Sequence, residues 1–184
     1  MKKTLFVFLM ILLICPLIRA QDTMYKSDKG TAGFFSKAPL ENIEAVSDRI
    51  TALLNTETGE VAVLIPIKSF QFDNGLMQDH FNENYMESDK YPNASFKGKL
   101  LDSCVARPGT VQHMEVEGEL SIHGVTVKRT IPARIKYNGD GSFQVASTFV
   151  VALVDHQITI PKLMYKNIAE KVDVSLDLLF IPKK

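Results

Sequence analysis

The chain predicts an all-β fold of about eight antiparallel strands, closed as a barrel or packed as a sandwich, with one amphipathic helix capping or flanking an end. Three observations carry this expectation. Apolar and polar residues alternate with period two through most of the sequence, as antiparallel strands covering a core on one side require. Turn-forming residues recur where such strands would reverse. One segment, LMQDHFNENYMESDKYPNASFKG from Leu76 to Gly98, breaks the alternation with helical spacing.

Eight strands are expected at 30–36, 42–54, 60–70, 94–105, 111–122, 125–137, 142–154 and 170–181. In the last, Val172, Val174, Leu176, Leu178 and Phe180 share one parity. Met114, Val116, Gly118, Leu120 and Ile122 oppose His113, Glu115, Glu117, Glu119 and Ser121. Val125, Val127, Ile131, Ala133, Ile135 and Tyr137 share a face interrupted only by Arg129. Asn138-Gly139-Asp140-Gly141, His123-Gly124, Glu57-Thr58-Gly59 and Arg107-Pro108-Gly109 supply the reversals, with glycine or asparagine where positive φ is needed. Several of these strands would exceed the usual ~5–6 residues, and long, twisted antiparallel strands tend to curl and close. A closed eight-stranded barrel leaves room for side chains or one small ligand.

The helix is expected over Leu76–Ser88, after an N-cap at Asp73-Asn74. Met77, Phe81 and Tyr85 fall at i, i+4 and i+8, flanked by Leu76 and Met86, while Gln78, Asp79, Asn82, Glu83 and Glu87 take the other face. Pro92 blocks continuation and biases Tyr91 to an extended conformation. A second, shorter helical turn is expected at Pro161–Ile168.

Residues 1–20 read as a secretory signal peptide: Lys2 and Lys3, an apolar run from Leu5 to Ile14, and cleavage after Ala20. The run falls short of the ~20 residues a membrane span needs, so no span is expected once it is removed. Ile14 before Cys15 disfavours lipidation. Residues 21–184 then form one domain, periplasmic or secreted. Removing Lys2, Lys3 and Arg19 leaves 18 basic against 21 acidic residues, a net of −3, which disfavours nucleic acid. Cys104 alone remains after cleavage, so no intrachain disulfide is available and stability must come from burial.

Catalytic patterns are missing. His80, His113, His123 and His156 form no i, i+4 pair, and no HExxH, GxSxG or phosphate-binding glycine loop occurs. Glu115, Glu117 and Glu119 alternate with core positions and read as a solvated face. An enzyme, a metal site and a cofactor are therefore not expected.

Apolar capacity is what remains. Phe143–Val154 is apolar on both parities, and Val61–Ile67 nearly so, which predicts that something covers the outside of that sheet. The helix is one candidate cover and the partner of a homodimer is the other. Met77, Phe81 and Met86 either pack as core or line the mouth of an apolar cavity, where flexible methionine suits a pliable ligand.

The chain resembles the YceI-like, polyisoprenoid-binding family of secreted bacterial proteins. The resemblance runs through the helical segment, GELSIHGVTVKRTIPARI, FVVALVDHQI and VDVSLDLLF. It is most specific at Tyr91, Pro92 and Phe96, and at Gly118, Leu120, His123, Gly124, Val125 and Thr126. It implies a lipocalin-like, eight-stranded antiparallel barrel holding an isoprenoid, quinone or related long apolar lipid, without catalysis. The expected lining is Phe70, Phe72, Met77, Phe81, Tyr85, Met86, Phe96, Leu120 and Phe149, with His80 at the polar rim. The competing expectation is a structural or stress-response β-domain whose interior its own side chains fill.

Overall fold

The computed structural model describes residues 24–102, 109–161 and 166–183. The expected signal peptide, Cys15, Cys104, the Arg107-Pro108 turn, the end of the 94–105 strand and half of the expected 161–168 turn lie outside these residues.

In chain order the strands are β1 (Met24–Ser27), β2 (Gly30–Lys37), β3 (Asn42–Ser47), β4 (Thr51–Asn55), β5 (Glu60–Pro66), β6 (Asn93–Leu100), β7 (Val111–Ile122), β8 (Val125–Tyr137), β9 (Phe143–Ala152) and β10 (Lys171–Pro182). The helix α1 (Gly75–His80) runs on into a π-turn, Phe81–Tyr85. Every pairing is antiparallel. The order β1-β4-β5-β6-β7-β8-β9-β10 closes on itself where Tyr25 and Lys26 of β1 meet Pro182 and Ile181 of β10. This is the expected closed eight-stranded barrel.

Ten strand segments make eight staves because two staves bend. β10 pairs with β1 near its end and with β2 along Asp173–Leu178, so β1 and β2 form one kinked stave. β3 follows on β2 and β4 on β1, which makes them the next. The expected 42–54 strand is therefore interrupted at 48–50. Ser47 at that bend is fully buried and shares a 2.6 Å hydrogen bond with Ser69, while its Oγ accepts from the Arg49 N–H at 3.0 Å. A satisfied hydroxyl thus replaces ladder bonds where the chain turns aside.

The inner parity is the expected one. Met114, Val116 and Leu120, then Ile131, Ala133 and Ile135, then Val172, Leu178 and Phe180 are buried. His113, Glu115, Glu117 and Glu119 are exposed, as the solvated-face reading requires. At the end away from the helix, Tyr25 and Tyr137 pack on Phe143 with ring centroids 4.9 and 5.1 Å apart and form a closed floor.

The helix differs from expectation at its far end. Asn74 caps it as predicted, accepting from Leu76 N at 2.9 Å and Met77 N at 3.4 Å. It stops at Tyr85 rather than Ser88, and its last turn widens, with Met86 N–H donating to Phe81 O at 2.9 Å and Ser88 N–H to Asn82 O at 2.8 Å. Asn82 Nδ2 donates to the Gln78 carbonyl at 2.9 Å. A side chain holding that carbonyl helps the turn to open. Gln78 and Asn82 are consequently half-buried rather than outward-facing, and Gln78 Oε1 accepts from Phe72 N at 3.3 Å. The wide turn brings Phe81, Tyr85 and Met86 onto one inward side, against Ile67 and Ile158. Asn74→Ala should cost about 1 kcal/mol, read as a lower urea midpoint with unchanged slope.

The helix, one of the two candidate covers, does not cover the outer face of β9. Val150, on that face, is 44% exposed. Small apolar side chains on a solvated face are ordinary. The helix sits across the barrel end instead.

Candidate functional site: an apolar cavity beneath the helix

A cavity of about 450 Å³ runs inside the barrel from Phe180 and Leu178 to the helix. That lies within the ~300–1,000 Å³ of small-molecule sites. Phe70, Phe72, Met77, Phe81, Tyr85, Met86, Phe96, Leu120, Phe149 and His80 all line it. These positions were legible because they are apolar residues on the inner parity or the inward helix face.

Its upper wall is a four-phenylalanine cluster. Phe81 stacks on Phe34 at 5.5 Å and meets Phe70 at 5.8 Å and Phe72 at 5.0 Å. Phe34 was not among the expected lining residues, although the GFF run of its strand offered the signal. These contacts fasten the helix to β2 and to the segment after β5 through dispersion and ring geometry. Partial burial pushes the Tyr85 hydroxyl above its ordinary value, because desolvation disfavours the charged phenolate.

The side wall depends on two glycines. Gly98 and Gly118 are register partners on β6 and β7, and the Phe96 ring lies across both. A Cβ on Gly118 would meet the Gly98 Cα at 2.5 Å and Phe96 Cζ at 2.7 Å. Phe96 can lie flat against the wall only because neither strand carries a side chain there.

Between β8 and β9 the ladder runs only from Arg134↔Ala146 to Tyr137↔Phe143. Toward the helix, side chains bridge instead. Ser147 Oγ donates to Pro132 O at 2.6 Å and Arg129 Nη2 to Val150 O at 2.7 Å. Pro132 has no N–H to offer a ladder. Arg129, the oddity on the inner parity of β8, is thereby explained: it turns sideways to the β9 carbonyl.

The rim beside this seam is tied by histidines. His123, at the β7–β8 hairpin, contacts Glu87 Oε2 with Nε2 at 2.9 Å and the His156 carbonyl with Nδ1 at 3.2 Å. Both partners only accept, so each bond needs a proton on the ring nitrogen that makes it. His123 is only 12% exposed in its side chain. His156 is fully buried, and its Nδ1 donates to Val125 O at 3.1 Å. Glu87 (φ 42°), His123 (φ 53°) and Gln157 (φ 56°) are the non-glycine residues with left-handed backbone among those described, and all three adjoin this chain of bonds. Such conformations cost roughly 1–2 kcal/mol each and persist where surrounding contacts fix them. Tyr91 stacks edge-on against His123 at 4.7 Å and lies over Gly124, whose φ of 75° completes the two-residue turn. The two sequence elements most specific to the resemblance, Tyr91-Pro92…Phe96 and Gly118…Thr126, are thus neighbours in space.

Among the described residues no group of three histidines, cysteines or carboxylates could hold a metal ion. No described helix is long and apolar enough to cross a membrane.

Comparison with solved structures gives the same barrel. A polyisoprenoid binding domain from Saccharophagus degradans, implicated in plant cell wall breakdown, superposes with a TM-score of 0.74 at 16% identity, covering 86% of this chain and 98% of that one. Burkholderia cenocepacia BcnA gives 0.69 at 16% identity, over 82% and 95%. The Campylobacter jejuni YCEI protein gives 0.59 at 15%, over 75% and 84%. Comparison with curated protein sequences found no match. The family model for the YceI-like domain matches residues 26–180, spanning every barrel stave and the helix. With that match over the barrel, the chain belongs to the YceI-like family.

Proposed function

We propose that this protein is an exported, non-enzymatic carrier of a long apolar lipid, an isoprenoid, quinone or related chain, held inside the barrel. The carrying observation is the apolar cavity of about 450 Å³ beneath the helix. A barrel filled by its own side chains, the competing reading, has no use for such a void, which forfeits dispersion contacts along its whole lining. Burial of the chain would drive binding at ~25 cal/mol per Å² of apolar surface, less the cost of ordering it. Export rests on the amino-terminal segment, with cleavage after Ala20 leaving residues 21–184 in the periplasm or outside the cell. The polyisoprenoid-binding description of the Saccharophagus domain supports the ligand class.

Native mass spectrometry of protein purified from its own periplasm is the test. A co-purifying lipid, or uptake of added quinone, is the expected result; neither would favour the structural reading. Phe81→Asp puts a carboxylate among four phenylalanine rings and should lower lipid occupancy about tenfold or more, since an unpaired charge in an apolar site is costly. Asn84→Asp, in the same helical segment but exposed and outside the cavity lining, should leave occupancy unchanged.

A further inference from the structure

Among the described residues, one carboxylate lines the cavity. The tip of the β2–β3 hairpin lines it through Glu41, and the helix lines it through Asn74 and His80. Glu41 is half-buried and held in place. Its Oε2 accepts from Asn167 Nδ2 at 3.3 Å. The hairpin tip is pinned to the same segment by Leu40 N–H donating to Lys166 O at 2.9 Å, and Ser36 Oγ accepts from Ala169 N at 3.0 Å. Asn167 is its one side-chain partner among the described residues, which leaves lone pairs to spare on an ionised carboxylate. Lys37 of the same hairpin and Lys166 beside Asn167 are exposed, and neither lines the cavity.

We propose that Glu41 selects the head of the bound lipid: a chain ending in a neutral hydrogen-bond donor, such as a hydroxyl, and not one ending in a phosphate. The inference rests on the carrier reading above and deepens it. A hydroxyl at the mouth donates to the Glu41 carboxylate in a charge-assisted bond, the stronger kind. A phosphate at the same place sets like charges together beside an apolar wall, where screening is weaker than in bulk water. Asn74 and His80, which also line the cavity, can complete the contacts of a small neutral head.

The experiment is displacement of a fluorescent apolar dye from delipidated protein by geranylgeraniol and by geranylgeranyl monophosphate, for wild type and Glu41→Gln. Wild type should take the alcohol about tenfold more tightly than the phosphate, a difference of about 1.4 kcal/mol. Glu41→Gln should shrink that gap several-fold, chiefly by tightening the phosphate. Equal or tighter binding of the phosphate by wild type overturns the inference while leaving the carrier reading intact, as does an unchanged ratio in Glu41→Gln. Displacement by neither probe removes the carrier reading, and the inference with it.

Discussion

Replacing Gly118 by valine should lower the stability of the barrel by about 3 kcal/mol, at the upper end of overpacking costs, and should abolish lipid uptake in what remains folded. The first β carbon already meets the Gly98 Cα at 2.5 Å and collides with the Lys97 carbonyl oxygen. Those are backbone atoms of the paired strand and cannot swing away as a flexible side chain would. The second obstacle is Phe96, whose Cζ lies 2.7 Å from the same point. The strands must part, or the ring must leave the wall and enter the cavity it now borders. Either response damages function, the first through the β6–β7 ladder and the second through lost volume. For a domain of this size the change corresponds to a fall in Tm of roughly 6–12 °C, at ~2–4 °C per kcal/mol. Thermal melts of Gly118→Val and Gly118→Ala read it. Two variants melting with the wild type would show that Phe96 and the β6 backbone move aside at no cost.

The sequence made that wall half legible. The alternation of β7 put Gly118 on the inner parity, and the resemblance marked it, but the reason for glycine lies across the ladder at Gly98, twenty residues earlier. Register between distant strands follows from the closed topology and not from local pattern. The same limit applies at the rim. Glu87, His123 and His156 are far apart in the chain and each is unremarkable locally, so their bonded chain could not be foreseen. The π-turn depends on where the Asn82 side chain points, which helical periodicity does not encode. The kinks that make two staves out of four segments fall at small polar residues such as Ser47, read as ordinary alternation because burial with a partner looks like exposure in sequence. What could be read was whatever a repeating chemical pattern fixes: strand parity, turn residues, the Asn74 cap and the inward helix face. The cavity's apolar lining belongs to that group. The Glu41 rim does not, since it needs the hairpin tip and Asn167 to meet.

His156 should make the protein less stable as the pH falls below 6.5, and His156→Phe should remove most of that dependence. The side chain is fully buried, and desolvation holds its pKa below the ordinary 6.5; Arg129 adds to the lowering, while the Val125 and Ile122 carbonyls and Asp155 oppose it. The folded protein therefore keeps the ring neutral, with the Nδ1 proton on Val125 O and Nε2 left without a partner. The unfolded chain takes up a proton once the pH drops below 6.5, so it binds more protons than the folded chain between that value and the depressed folded one. Stability then rises with pH through this window and is lost as pH falls through it, by up to ~1.4 kcal/mol per pH unit. A wild-type slope alone sums over all the titrating groups of the chain. Substitution separates them. His156→Phe keeps the volume beneath the His123-Gly124 turn and deletes the titrating ring, but it leaves the Val125 carbonyl without its donor and should cost about 1–3 kcal/mol at neutral pH. Urea melts at pH 7.5 and 5.5 for both proteins give the comparison. The wild-type loss between those values should be largely absent in the variant. An equal loss in His156→Phe would place the acid sensitivity elsewhere in the chain and leave His156 as packing alone.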